Sequence, residues 1–153
     1  MNTTVQKVMA DLCEKIGTRW ASSHGAGVTV AEDPAHAIDL LMAGQSNGCA
    51  VVIFYMSDTP TTSEFSGNTM VDATIRVGIV QKNGLALRDG RRAPAVLEKV
   101  DAFRRFMARN ADVEGLAQPL EYAGMAPVVQ AEGRALNGYA LSYTARYAFE
   151  IGE

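Results

Sequence analysis

The last fifteen residues of the sequence alternate between apolar and polar side chains, and this pattern constrains the fold more than any other feature. Residues 139–153 read YALSYTARYAFEIGE. The apolar and aromatic positions are Tyr139, Leu141, Tyr143, Ala145, Tyr147, Phe149 and Ile151. A period of two is typical of a β-strand with one buried face. At about 3.3 Å per residue this strand would run about 40 Å, twice the usual length, so it either bends or reaches beyond its own core.

Apolar residues at helical spacing predict three amphipathic helices. The first opens the chain behind three capping candidates and carries an apolar face: Val5, Val8, Met9, Leu12 and Ile16, after Asn2, Thr3 and Thr4. The second has Asp33 as its cap and Pro34 at its first position, and Gly44 is expected to close it. The third and longest covers residues 94–109 and places Val96, Val100, Phe103 and Met107 on one face.

Strand patterns lie between these helices. Residues 28–31 form a short candidate, residues 49–57 a buried strand rich in Val, Ile, Phe and Tyr, and residues 71–79 an alternating one. Residues 57–69 are polar and aperiodic, which predicts a long surface loop. Two or three further strands follow residue 119, punctuated by Gly124, Pro127, Gly133 and a turn at Asn137 and Gly138. The order predicts one α+β domain over residues 1–153, with a mainly antiparallel sheet packed by the long helix and the N-terminal helix.

Composition excludes several classes of protein. Hydrophobic residues make up 48% of the chain and charged residues 20%, which is typical of a globular domain. The longest apolar run, residues 49–56, is too short to span a bilayer, and the amphipathic N-terminus is unlike a signal peptide, so we expect a protein that folds in a cytoplasm. Cys13 and Cys49 have neither CxxC spacing nor a Cys/His cluster, so we expect buried free thiols.

The search for catalytic chemistry finds one motif. Gly44 to Gly48 matches the G-x-S-x-G nucleophile elbow, with Ser46 as the nucleophile. That mechanism needs a strand before the serine and a helix after it, whereas here the predicted helix precedes and a strand follows. His24 and His36 have no partner at metal-ligand spacing and are expected to be solvated. We therefore expect no enzyme, no cofactor and no metal.

Basic residues concentrate in one segment. Between Lys82 and Arg109 there are eight basic and three acidic residues, whereas the other segments hold six basic and fourteen acidic. Arg88, Arg91 and Arg92 are expected in the turn before the long helix. This segment is either a solvated helix face or a surface complementary to an acidic partner, such as a second copy of the chain. Nucleic-acid readout is the weakest option, because no aromatic residues interleave with the arginines.

The polar segment contains one aromatic residue, Phe65. A single exposed Phe is common on a protein surface. In a loop that becomes ordered on binding, it would serve as an anchor.

The order of these elements resembles the tail terminator, or tail completion, proteins of long-tailed bacteriophages. The points of similarity are the N-terminal amphipathic helix, the strand GCAVVIFYMSD, the polar loop, the strand MVDATIRVGIV, the helix PAVLEKVDAFRRFMA, the segment PLEYAGMAPVVQAEG and the final strand YALSYTARYAFEI. The resemblance covers essentially the whole chain and rests on element order and size, without a catalytic signature.

The resemblance implies a structural protein that forms a ring, typically a hexamer, on the end of the completed tail tube. It would end tube polymerisation and present a surface to the head-tail connector, in the virion tail after assembly in the host cytoplasm. The partners would be copies of itself, the tube protein and a neck protein, with no membrane and no sequence-specific nucleic acid. Interface candidates are Phe65, Arg88, Arg91, Arg92 and Tyr147.

Two alternatives remain open at the level of sequence. One is another neck or minor tail component of similar fold. The other is a small α+β enzyme or ligand-binding domain, in which a sheet face lines a pocket and Ser46 is the candidate functional residue.

Overall fold

The computed structural model describes residues 3–63, 68–82, 85–88, 91–129 and 135–150. The strands within these residues are β1 (Ala26–Val30), β2 (Cys49–Ser63), β3 (Asn68–Gln81), β4 (Leu85–Arg88), β5 (Arg91–Pro94), β6 (Glu121–Val129) and β7 (Ala135–Glu150). The helices are α1 (Thr4–Ile16), α2 (Ser22–His24), α3 (Pro34–Asn47) and α4 (Val96–Arg109), with a π-helical segment, Gly17–Ala21, between α1 and α2.

Helix α1 begins at the predicted caps. The Thr3 hydroxyl accepts a hydrogen bond from the Gln6 amide at 3.4 Å, and the Gln6 side chain accepts one from the Thr3 amide at 2.9 Å. This capping box satisfies two backbone donors that the first helical turn leaves free. The helical path continues through the π-helical segment, which adds buried Trp20. It ends at Gly25, whose φ of 64° is the left-handed conformation that favours glycine.

One sheet contains five of the described strands, in the order β1-β2-β3-β7-β6. β1 and β2 are parallel and are connected through α3, as a parallel pair requires. The other neighbouring pairs are antiparallel. The predicted α+β fold with a mainly antiparallel sheet is confirmed.

The two faces of this sheet bury two separate apolar clusters. On the first face, α1, the π-helical segment and α4 pack on β2, β3 and β7, with Ile75 and Phe103 fully buried between them. On the second face, α3 packs Leu41 against Phe54 and Val80. Both faces of β2 are therefore covered near its start, which explains its uninterrupted apolar run.

Gly44 lies inside α3 rather than at its end, so the predicted helix end is wrong. The helix continues to Asn47, and Gly48, with a φ of 124°, terminates it. A Cβ atom on Gly44 would lie 2.4 Å from the Cβ of Ala50 in β2. Glycine is needed there because α3 approaches the sheet closely.

The segment predicted as a surface loop, residues 57–69, is mostly strand. β2 continues to Ser63 and β3 begins at Asn68, so the two form a long hairpin in which Asp58 lies opposite Ala73. Residues 64–67 of the predicted loop, which include Phe65, lie outside the described residues. The prediction is wrong over the strand residues because this hairpin is exposed at residues 57–61 and carries no apolar period.

Pro60 is compatible with this strand because of its position. Only β3 pairs with β2 at this point, since the pairing with β1 ends at Ile53. A proline on an outer strand breaks no ladder on its free side. The register also shifts between Pro60 and Thr62, as at a β-bulge.

Strand β7 runs for 16 residues and is an interior strand of its own sheet. Its partner β3 follows it from Val80 opposite Gly138 to Asn68 opposite Glu150. The predicted turn at Asn137 and Gly138 is wrong, because both residues lie within β7. A Cβ atom on Gly138 would lie 2.5 Å from the Ile79 carbonyl oxygen, so this glycine permits close backbone packing.

Candidate assembly interface

Three strands continue beyond the rest of the sheet at one end. β1 pairs with β2 only over residues 49–53, and β6 pairs with β7 only up to Thr144. Past these points β2, β3 and β7 form a sheet extension, which comprises residues 58–63, 68–73 and 145–150. No strand of the described chain pairs with its two outer edges. The outer edge of β7 accepts one hydrogen bond from outside the sheet, from the Ala117 amide to the Arg146 carbonyl oxygen at 2.8 Å. A free strand edge, such as that of β2, can pair with a strand of another chain.

The predicted interface residue Tyr147 lies in the sheet extension, and its side chain is buried, with 6% of its surface exposed. Its hydroxyl lies 2.9 Å from the hydroxyl of Tyr55, which donates to Asp58 Oδ2 at 2.6 Å. Burial raises the pKa of Tyr55 well above its usual value, and the bonds to Asp58 and Tyr147 raise it further. Tyr147 therefore stabilises the extension from inside, and it would reach an interface only through the backbone of its strand.

A bidentate ion pair lies on the opposite face of the extension. Arg146 Nε donates to Asp72 Oδ1 at 2.7 Å and Nη2 donates to Oδ2 at 2.9 Å. The two residues are register partners on β3 and β7. The hydrogen bonds from Arg146 lower the pKa of Asp72 despite the opposing effect of desolvation. The pair fixes the alignment of the two strands where the other strands have ended.

Arg88, Arg91 and Arg92 lie in a two-stranded β-ribbon, made of β4 and β5, rather than in a turn. Arg88 pairs with Arg91 and Leu87 pairs with Arg92 along the backbone. β5 ends at Pro94, which the sequence placed at the first position of the long helix, and α4 begins at Val96. The turn prediction is wrong because alternation over four residues is too short to show a strand.

We call this ribbon the basic ribbon. Among the described strands, β4 and β5 pair with each other and with no strand of the five-stranded sheet. A two-stranded hairpin is marginally stable alone. Arg91 is exposed. The basic ribbon is therefore the kind of element that gains most from an acidic partner surface.

The nucleophile motif does not have the required context. Ser46 lies in the last turn of α3, so a helix precedes it and strand β2 follows it, which reverses the strand-to-helix turn that the motif needs. Burial raises the pKa of both the Cys13 and the Cys49 thiols, which keeps them protonated. In the part of the chain that the structure describes, no three His, Cys, Asp or Glu residues are placed to hold a metal ion.

Both histidines have local structural roles instead of being simply solvated. His24 Nδ1 lies 2.9 Å from the Trp20 carbonyl oxygen, and its ring stacks on Trp20 with centroids 4.4 Å apart. His36 Nδ1 accepts the Glu32 amide at 3.0 Å. These contacts close the helical path before Gly25 and fix the start of α3.

Two concavities bring together residues that no sequence pattern connected. A groove of about 430 Å³ lies between α3 and the sheet. It is lined by Ile38, Leu41, Phe54, Met56, Arg76 and Ser142, among others. A second concavity, of about 320 Å³, lies between the π-helical segment and α4, and three arginines line it. Only the chain path places these groups together, which is why no sequence pattern indicated them.

No protein-family model matches this chain, and no curated protein is significantly similar to it. Within the described residues, no helix is long and apolar enough to cross a membrane.

Proposed function

We propose that this chain is a structural assembly protein of a phage or phage-derived tail, which forms a ring on the end of the tail tube and stops its growth. The observation that carries the proposal is the sheet extension, whose outer edges have no strand partner in the described chain. The helices and strands named in the resemblance to tail terminators occur in the same order in the fold, although most of the polar loop between them is strand.

The partners follow from this proposal. Copies of the chain would pair through the outer edges of the sheet extension, because strand addition gives affinity through backbone hydrogen bonds without a specific sequence. The basic ribbon would contact an acidic surface on a neighbouring copy, the tube protein or a neck protein. The protein would act in the virion tail after assembly in the host cytoplasm, without a cofactor.

The test of this function uses tail-tube protein from the same genome while it polymerises into tubes. Increasing amounts of the purified protein should shorten the tubes and appear at their ends in negative-stain images. Cosedimentation measures the binding, and tube length measures the capping. Tubes of unchanged length with undecorated ends, at protein concentrations well above that of tube ends, would reject the proposal.

The groove beside α3 favours a second candidate, a ligand-binding domain. It combines apolar walls with one guanidinium group, and Arg76 Nε donates to the Ser142 hydroxyl at 3.3 Å. This combination suits a small apolar carboxylate. Calorimetric titration with medium-chain fatty acids tests it: binding by the wild-type protein and loss in Arg76→Leu would support it, and no heat of binding would reject it.

A further inference from the structure

Three arginines converge on the concavity between the π-helical segment and α4, here called the basic pocket. Its lining comprises Arg19, Trp20, His24, Ala102, Arg105, Phe106, Arg109 and Asn110. Arg19 comes from the π-helical segment, whereas Arg105 and Arg109 lie one turn apart on α4. Arg19 Nη1 donates to Asn110 Oδ1 at 3.2 Å, which holds Arg19 across the pocket from α4.

The basic pocket contains hydrogen-bond donors that other described residues do not occupy. Arg105 is paired with Asp101. Arg109 is exposed, and none of the ion pairs among the described residues includes it. Trp20 Nε1 is buried and makes no hydrogen bond within the described part of the chain. Guanidinium groups bind planar anions through two parallel hydrogen bonds, so the pocket suits carboxylates.

The complementary charge lies on the other face of the sheet. From Trp20 to Ile75 the sequence has no lysine or arginine, although it contains Glu32, Asp33, Asp39, Asp58, Glu64 and Asp72. Glu32, Asp33 and Asp39 are exposed at the start and first turns of α3, and we call them the acidic face. α3 packs on the second face of the sheet, whereas α4 packs on the first. The basic pocket and the acidic face therefore lie on opposite sides of one copy.

We propose that the basic pocket of one copy receives the carboxylates of the acidic face of the next copy, in a head-to-tail contact. This inference rests on the proposed ring-forming function and adds a second pair of contact surfaces between subunits to the strand edges of the sheet extension. A two-fold dimer would place each surface against itself and bring like charges together. Contact between different surfaces instead continues from copy to copy, and it closes into a ring when the rotation allows.

Charge reversal on each side provides the test. Arg105→Glu with Arg109→Glu reverses the pocket, and Glu32→Arg with Asp39→Arg reverses the face. Asp33 is left intact because it caps α3 through a 2.7 Å bond from the His36 amide. Each double variant alone should associate on the order of 100-fold more weakly than the wild-type chain. Light scattering after size exclusion measures the mass, and circular dichroism verifies the fold.

Recombining the charges gives the decisive results. An equal mixture of the two double variants should regain assembly with strict alternation, since each pocket then meets a face of opposite charge. The chain with all four changes should also regain it. Lys7→Glu with Lys82→Glu is the matched control, because it makes the same change of net charge at exposed positions outside both surfaces.

Three outcomes would overturn the inference. In the first, both double variants assemble as well as the wild-type chain. In the second, the control is impaired as strongly as the pocket variant. In the third, assembly is lost and neither the mixture nor the fourfold variant recovers it. A wild-type chain that stays monomeric at every concentration also rejects this contact, while tube capping remains open to the tube-length assay. Titration with inorganic phosphate identifies a different anion: saturable phosphate binding lost in the pocket variant, with unchanged assembly, assigns the pocket to a phosphate ligand instead.

Discussion

The hydroxyl groups of Tyr55 and Tyr147 lie 2.9 Å apart and connect β2 to β7 across the intervening strand β3. Asp58 accepts the Tyr55 hydroxyl at 2.6 Å. Three residues from two non-adjacent strands thus form one hydrogen-bonded group at the base of the sheet extension. If the sheet extension carries the assembly contacts, this group keeps β2 and β7 in the conformation that makes those contacts.

Removing either hydroxyl should destabilise the protein, and the two effects should not add. We expect Tyr147→Phe and Tyr55→Phe each to lower the free energy of unfolding by about 1 kcal/mol, because each change removes the bond between the two hydroxyls. In a double-mutant cycle measured by urea unfolding, the coupling should exceed about 0.5 kcal/mol. Strictly additive costs would show that the two hydroxyls do not interact in solution.

The Asp72–Arg146 pair predicts a specific dependence on pH. The pKa of Asp72 is lowered in the folded chain, so its stabilising contribution is present above the unfolded-state value of about 4 and is lost as the pH falls below it. Asp72→Asn should therefore destabilise the protein at pH 7, and the difference from wild type should shrink towards pH 2. Chemical denaturation across this range measures it.

A partner variant controls for this effect. In an Arg146→Gln background, Asp72→Asn should lose most of its dependence on pH, because the hydrogen bonds that lower the carboxyl pKa are gone. A pH dependence that persists unchanged in that background would assign the effect to another group.

Gly138 should not tolerate a side chain, although an Asn-Gly turn would place it on an exposed loop. A Cβ atom would lie 2.5 Å from both the Ile79 carbonyl oxygen and a methyl group of Val80. We expect Gly138→Ala to cost about 1 to 3 kcal/mol of unfolding free energy. Gly27→Ala in β1 is the matched control, since nothing lies within 4 Å of its added Cβ atom. Equal thermal midpoints for the two variants would contradict the close packing of β7.

The basic ribbon predicts a salt-dependent contact. Arg91→Glu with Arg92→Glu should weaken assembly or tube binding more at low than at high ionic strength, because salt screens exposed charges beyond roughly 10 Å at 0.1 M. Cosedimentation with tubes at several salt concentrations measures this. If the variant binds as well as wild type, or if its loss of binding is the same at every ionic strength, these arginines are solvated charges and not contacts.

Local sequence patterns predicted the helices and strands that have one buried face. Thr3 and the apolar spacing behind it located α1, and the alternation around Ile75 located the core of β3. Phe103 and Ile75 were both expected in the core, and both are fully buried. These predictions succeed because the period of an element is imposed by the surface on which it packs.

The errors arose where another segment of the chain packs on a residue, or where a strand is exposed. Gly44 and Gly138 follow the usual signals for a helix end and a turn, yet each is glycine because another segment packs against its backbone. Residues 57–61 of β2 are exposed, so they show no period. Arg19 meets Asn110 and α4 only through the path of the fold, and no spacing rule could have connected them.

The mass of the assembled protein tests the central claim most directly. Light scattering after size exclusion, over a range of concentrations and with negative-stain images of the same fractions, should show a closed ring, with a hexamer expected from the resemblance to tail terminators. The ring should weaken as salt is raised. A monomer at every concentration, together with tube ends that bind no protein, would contradict the account.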